Sequence, residues 1–481
     1  MFVGMLYSMM SLAVLSQQSS EPLTNPMLQY TEDNISLIRL YHQKTVQCLL
    51  LGKYTKPGPY TIETLLSYFA SEYLSSEDTP FSMWIVIGII VRLALRMGLH
   101  RDGSHSPEIP VFQAELRRRL WCKVAQLDTL CSFQVGLPRM VHDLQADTKE
   151  PRNLLDDDFD EHTQELPAAR PDSELTPVLY LIAKQKFVPV FGKIVDIATW
   201  TQPPPYAEIM TLDKHLYDAY ESVPSAFKWR SMAASIGDQP DVVLQKIYLD
   251  HMLHKIRCIL HRRYLTAART DSKYEYSRTS CVDAAIQLLQ HQSNQYHESQ
   301  PGGQLFNVRW KSSSYIRNDQ LLAVTILCLD LDRDLESIKG PTISVDRVDY
   351  GKVVEIIKAL QESYFIWCQL CDISQEARKA AGALKIILGK ASAAGLTSST
   401  SDFLRPFGSN NRDNQSKFSP TTMSAMQDAD PWADPWSAQS VSPHGPAHLV
   451  PGYGPTSSAV TEVEGPADMF TEVDWVSLEE G

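Results

Sequence analysis

Four short stretches of this 481-residue sequence carry residue types that could do chemistry. Asp156 to Asp160 reads DDDFD. Carboxylates at that spacing, on a helix lining an apolar cavity, can hold Mg2+ against a diphosphate, which would be the chemistry of an all-α terpenoid lyase. The stretch follows Pro151 in a polar connector, and the second metal motif of such an enzyme, Asn-Asp-x-x-Ser-x-x-x-Glu, has no counterpart, since NDQLL at Asn318 does not supply it. Leu99 to Asp102 reads LHRD, as a kinase catalytic loop does. The asparagine that a kinase needs five residues after the aspartate to hold magnesium is Pro107 here, and no Gly-rich loop accompanies it. His251, His254 and His261 are spaced 3 and then 7 residues apart, so a metal-facing helix side is conceivable. With no acid or cysteine in matching register, they read as solvated or core-edge histidines. Cys368-x-x-Cys371 lacks the second pair that zinc requires and reads as core packing. No GxSxG, Walker loop, HExxH or Rossmann glycine pattern occurs. The expectation is a protein without enzymatic function, catalytic residues, bound cofactor or metal. Carboxylates or imidazoles converging in a deep cavity would overturn it.

The elements that would position these residues are helical. Glu115 to Gly136 places Leu116, Leu120, Val124, Leu127 and Cys131 at steps of 4, 4, 3 and 4, an apolar stripe on one helix face. Pro110 precedes this helix, and Gly136 with Pro138 stops it. Similar runs occupy 61–74, 81–98, 175–199, 242–268, 280–297, 318–332, 350–371 and 375–388, and no strand-like alternation of convincing length appears. The fold class is therefore all-α, a multi-helix domain over 1–390 followed by a disordered tail over 391–481. Asp143 to Asp172 and the triple-proline stretch Thr201 to Tyr206 read as connectors. From about Ser392 the composition turns to Ser, Thr, Pro, Gly and Asn, too poor in apolar surface to offset chain entropy.

The net charge of −13 is unevenly spread. Gln427 to Gly481 carries ten acidic groups and no Lys or Arg, which leaves the rest of the chain at −3. A near-neutral body offers no electrostatic footprint for nucleic acid, and an acidic tail suits a basic or hydrophobic protein surface. The eight cysteines do not cluster as a disulfide framework would, and they read as reduced core residues. The apolar start, MFVGMLYSMMSLAVL, has no basic flank and is too short to span a bilayer, and Met83 to Gly98 is broken by Arg92 and Arg96. Both fit buried helices better than a membrane.

Several separated segments resemble one family, the fungal-specific transcription-factor regulatory domain, or middle homology region, of the binuclear zinc-cluster transcription factors. MWIVIGIIVRLALRMGLHRDGS supplies Arg92, Gly98, His100, Arg101 and Asp102. ELRRRLWCKVAQLDTLCSFQVGLPRM supplies Glu115, Arg117, Arg118, Arg119, Trp121, Asp128, Gly136 and Pro138 in the family's order. EPRNLLDDDF is similar to the loop that follows in the family, and LHRRYL, YSRTSCVDAAIQLL, DQLLAVTILCLDL and SQEARKAAGALKIIL are similar to its C-terminal half. The best-matching core is 60–160.

The resemblance implies a nuclear regulator of transcription by RNA polymerase II, controlling a metabolic or secondary-metabolite gene set. The family reads DNA with six cysteines holding two zinc ions N-terminal to this region. Here the first cysteine is Cys48 and the second Cys122, so the zinc ligands are absent from these residues. Promoter DNA is then expected as a partner only indirectly or through a missing N-terminal cluster. A truncated interaction-only partner or competitor of a full-length factor is the alternative, and a homodimer or heterodimer fits either. Glu115 precedes Arg118 and Arg119 by three and four residues, the spacing of helical ion pairs, and Asp128 is expected to accept from Arg92, a structural polar network between helices. In the tail, Trp432 and Trp436 lie among aspartates, and Phe470, Trp475 and Leu478 lie among Asp468, Glu472, Asp474 and two terminal glutamates. Acids keep such side chains exposed until a partner groove captures them, so this stretch is expected to be an activation segment that recruits co-activator proteins.

Overall fold

The computed structural model describes residues 1–17, 32–312, 314–339 and 349–396. Among them thirteen α-helices and several short 3-10 turns occur, with no strand. The tail residues Trp432, Trp436, Phe470, Asp474, Trp475 and Leu478 lie outside the described residues.

Helix boundaries follow the local chemistry. The helix α1 (Phe2–Ser16) and α2 (Glu32–Leu51) pack on each other and on α3 (Thr61–Ser75). The apolar run at 81–98 becomes α4 (Met83–Arg96). Next, α5 (Val111–Val135) starts after Pro110 and ends at Gly136, whose left-handed φ of 70° closes the last turn without a Cβ penalty. The sequence's single run over 175–199 is two helices, α6 (Pro177–Gln185) and α7 (Val188–Thr199). Thr176 caps the first, accepting from the Val178 and Leu179 N–H groups, and Pro189 sits in the first turn of the second. After the proline stretch comes α8 (Tyr206–Glu221), which, like α2, periodicity did not single out. The remaining helices are α9 (Pro240–His261), α10 (Glu275–Glu298), α11 (Ser314–Lys339), α12 (Tyr350–Leu370) and α13 (Gln375–Ala393).

Three larger apolar clusters hold most of these helices, and a smaller one, Val14, Leu15 and Ile38, joins α1 to α2. The first joins α3, α4 and α5 around Ile62, Ile87, Ile90 and Val124. A second joins α6 to α9 around Phe187, Phe191, Leu216 and Ile256. The third joins α10 to α13 around Trp367, Leu288, Leu327 and Leu384, and Cys258 of α9 reaches into it. Helix α9 thus lies between two cores, which is why both its apolar residues and its ionisable ones are buried.

Three expectations need correction. The N-terminal helix is not buried all round: Gly4, Ser8 and Ser11 turn inward, while Phe2, Val3, Leu6, Met9 and Met10 are exposed. The small residues permit close approach, since a Cβ on Gly4 would lie 2.9 Å from Cys48 Cβ. Cys368 is exposed and Cys48 and Cys371 are only half-buried, whereas the other five cysteines are buried and all eight are free thiols. The apolar stripe of α5 faces the core only from Leu120 onward, with Val124 and Cys131 buried. Leu116 is exposed, and Glu115, Arg118 and Asp128 are inside.

Candidate functional site

Two of the buried polar networks contain the candidate residues singled out in the sequence; a third joins Arg269 and Arg278 to the buried Asp330 and Asp334 of α11. The first lies where α5 meets the segment after α4 and the connector before α6. Asp102 caps a 3-10 turn by accepting from the Ser104 N–H, and its carboxylate receives two bonds at 2.8 Å from the Arg118 guanidinium. The Lys149 N–H adds another at 3.0 Å. This paired geometry is the strong form of a guanidinium–carboxylate contact. The hydrogen bonds from Arg118 come first among the causes that hold the Asp102 carboxyl well below the usual carboxylate range. Glu115, fully buried, takes Arg118 at 3.4 Å, Arg119 at 3.6 Å and the Arg152 N–H at 2.9 Å. Burial raises its pKa despite these partners. Arg119 also reaches the exposed Asp156 at 2.6 Å, and Arg170 holds Asp158. Of the DDDFD acids, Asp156 and Asp158 are thus tied to arginines, and Asp160 accepts from the His162 N–H and the Thr163 hydroxyl in its own turn.

Arg92 and Asp128 do not meet. Arg92 is exposed and donates to the Gly88 carbonyl within its own helix. Asp128 is buried and accepts from the Met140 and Val141 N–H groups at 2.8 and 2.7 Å, so it clamps the chain just after the Gly136 stop. Burial raises its pKa, with those two N–H bonds opposing. The arginine of that turn is Arg139, which pairs with Asp196 of α7. Its guanidinium lies against Gly192, where an added Cβ would come within 2.6 Å of it. Arg117 turns inward to the Met97 carbonyl. The triple arginine is therefore spent within the protein, not on a basic outer face.

The second network sits on α9. Counter to the expectation of solvated or core-edge rings, His251 and His261 are fully buried, and each meets a carboxylate from another helix. His251 Nε2 lies 3.3 Å from Asp319 of α11, which Lys255 also reaches at 2.7 Å. Burial depresses the pKa of both His251 and Lys255, with Asp319 opposing. His261 Nε2 lies 3.1 Å from Asp213 of α8, and Tyr276 donates to the same carboxylate at 2.5 Å. Asp250 is shared by His291 of α10 at 2.7 Å and His254 at 3.3 Å, and Tyr220 donates to its other oxygen at 3.0 Å. Burial by itself would raise the Asp250 carboxyl, but the bonds from His254 and His291 more than offset it and hold it low. Asp250, His254 and His291 each bring one ligand atom within 4.8 Å of the others. Distance in sequence hid Asp319, 68 residues from His251, and Asp213 on α8, whereas Asp250, four residues before His254 on α9, was within reach of helical spacing and was overlooked.

Imidazoles and carboxylates do converge, then, but inside packed helices. A cleft of about 100 Å3 lies elsewhere, lined by Ser76, Glu77, Gln295, Arg309, Arg317 and Gln320 among others, and contains none of these groups. No helix among the described residues is long and apolar enough to cross a membrane.

A helical body whose described polar groups tie helices together, apart from that cleft, is the build of a scaffold or regulatory domain. The comparisons with known proteins say which. Residues 1–188 match the model of the fungal specific transcription factor domain. It is 46% identical over 402 residues to the Zn(2)-C6 fungal-type transcription factor mpsB of Macrophomina phaseolina, covering 84% of this chain and 54% of that protein. With the Zn(2)-C6 fungal-type transcription factor pigI of Monascus ruber it shares 47% over 393 residues, covering 81% and 47%. With the pyrrolocin cluster transcription factor fsdR of Fungal sp. strain NRRL 50135 it shares 39% over 399 residues, covering 81% and 52%. The chain spans about half the length of these curated relatives. No solved structure matches it. The family and these relatives are transcription factors, not enzymes.

Proposed function

We propose that this chain is the regulatory part of a nuclear transcription factor that controls a secondary-metabolite gene cluster. The observation that carries the reading is the run of 39–47% identity to transcription factors over more than four-fifths of the chain, one of them named for a biosynthetic cluster. The helical body is the scaffold that receives and transmits signals, and promoter DNA is reached through a zinc cluster or partner outside these residues. The acidic stretch 427–481 recruits co-activators through Trp432, Trp436, Phe470, Trp475 and Leu478, because interleaved acids and aromatics suit capture by an apolar groove.

Chromatin recovery of the tagged protein from its native host tests the first part. Enrichment at the promoters of one biosynthetic cluster is expected, and absence of any promoter enrichment would remove the proposal. Fusing residues 427–481 to an unrelated DNA-binding domain tests the second. The fusion is expected to activate a reporter, and Phe470→Ala with Trp475→Ala to abolish most of that activity. A silent fusion, or an unchanged double variant, rejects the activation segment alone.

A further inference from the structure

We infer that Asp250, His254 and His291 form a binding site for a divalent first-row transition metal ion of the zinc class. Asp250 and His254 are four residues apart on α9, so both side chains leave the same face, and His291 arrives from α10 packed against it. The Nε2 atoms of both imidazoles aim at one carboxylate oxygen, Asp250 Oδ2, at 2.7 and 3.3 Å. Ligand atoms held at about 2.0–2.1 Å in a tetrahedron stand about 3.3–3.4 Å apart. The carboxylate–imidazole separations of 2.7 and 3.3 Å are thus close to that spacing, and all three ligand atoms lie within 4.8 Å of one another.

The donor set fits the ion's chemistry. Two imidazoles and a carboxylate suit zinc and its neighbours, whereas calcium and magnesium want oxygen shells. Binding at Nε2 puts each neutral ring's proton on Nδ1, and the Nδ1 atoms of His254 and His291 are buried without a hydrogen-bond partner among the described residues. Neither ring is thereby committed to another acceptor that would fix the opposite tautomer. Tyr220 of α8 donates to Asp250 Oδ1 at 3.0 Å, the kind of supporting bond that orients a ligating carboxylate. Trp229 meets the His291 ring edge-on at 5.3 Å and covers that side. Among the three ligands His254 is the most accessible, at 14% exposure, and it marks the entry route. Three protein ligands leave a fourth coordination position for water. Such an ion would join α8, α9 and α10, the helices between the central and C-terminal cores, and would make the stability of this body depend on metal supply.

The proposal is read on the purified full chain and does not depend on promoter binding, so its failure is distinguishable from failure of the transcriptional reading. The protein is stripped with chelator, loaded with Zn2+ alone, gel-filtered and analysed for metal. One ion per chain is expected, together with a higher melting temperature. X-ray absorption of the zinc form is expected to show nitrogen and oxygen ligands at about 2.0–2.1 Å and no sulfur. His254→Gln is expected to weaken uptake by at least about 100-fold and Tyr220→Phe by about 10-fold, while the metal-free Tyr220→Phe protein keeps its helical circular dichroism. No stoichiometric uptake by the wild type, sulfur in the zinc shell, or equal uptake by wild type and folded His254→Gln each overturns the site. If His254→Gln fails to fold, the absorption spectrum of the wild-type zinc form decides.

Discussion

The two buried networks solve the same electrostatic problem with different means. Around Asp102 and Glu115 the countercharges are arginines, which stay protonated at any pH the protein meets. Around Asp319 they are a histidine and a lysine whose charged forms burial disfavours. A network of fixed charges must stay complete, whereas one built from titratable groups can shed charge when a partner is lost. The arginine network behaves as a permanent latch between α5 and its connectors, and the histidine network as a layer that responds to protons and ligands.

Ways to test that contrast run from large to small. Arg118→Ala leaves Asp102 and Glu115 buried without their shared guanidinium, and is expected to cost about 3–5 kcal/mol in urea denaturation. Asp319→Asn is expected to cost less, about 1–3 kcal/mol, because His251 and Lys255 can both go neutral. Equal costs for the two would end the distinction.

A third measurement concerns pH. His251 has a folded-state pKa below its unfolded value, chiefly through burial. The unfolded chain therefore takes up a proton first as pH falls through about 6.5. Stability from this group is present above that pH and is lost as pH drops toward the folded pKa. Wild type should lose stability relative to His251→Gln on going from pH 7.5 to 5.5, and parallel curves would refute the assignment. Smallest of all, Asp156→Ala should cost under about 1 kcal/mol, since this partner of Arg119 is 83% exposed. Arg92→Ala should fall within about 0.5 kcal/mol, as the exposed guanidinium contacts only its own helix and a methionine sulfur.

What the sequence could yield depended on how far apart the partners were. Helical spacing sufficed for Glu115 with Arg118 and Arg119, because ion pairs three and four residues apart need only the helix itself. The same logic placed Gly136 at the end of α5 and located most helices within a few residues. It failed for Asp128, where a charged partner was sought and two backbone N–H groups after the turn were the answer. It failed also for the histidines of α9: Asp213 and Asp319 lie on α8 and α11, and Asp250, on α9 itself, is joined by His291 of α10 only through packing.

The sequence alone thus determined the all-helical body, the uneven charge and the family resemblance, since local propensity, composition and short-range spacing are written in consecutive residues. Tertiary packing alone decided which faces went inside. It turned Gly4, Ser8 and Ser11 inward and left Phe2, Val3, Leu6, Met9 and Met10 of α1 outside. It also buried α9 between two cores, and so brought Asp250, His254 and His291 together. A helix fixes only the direction of each side chain relative to its own axis, and what stands opposite is set by the neighbours that pack there.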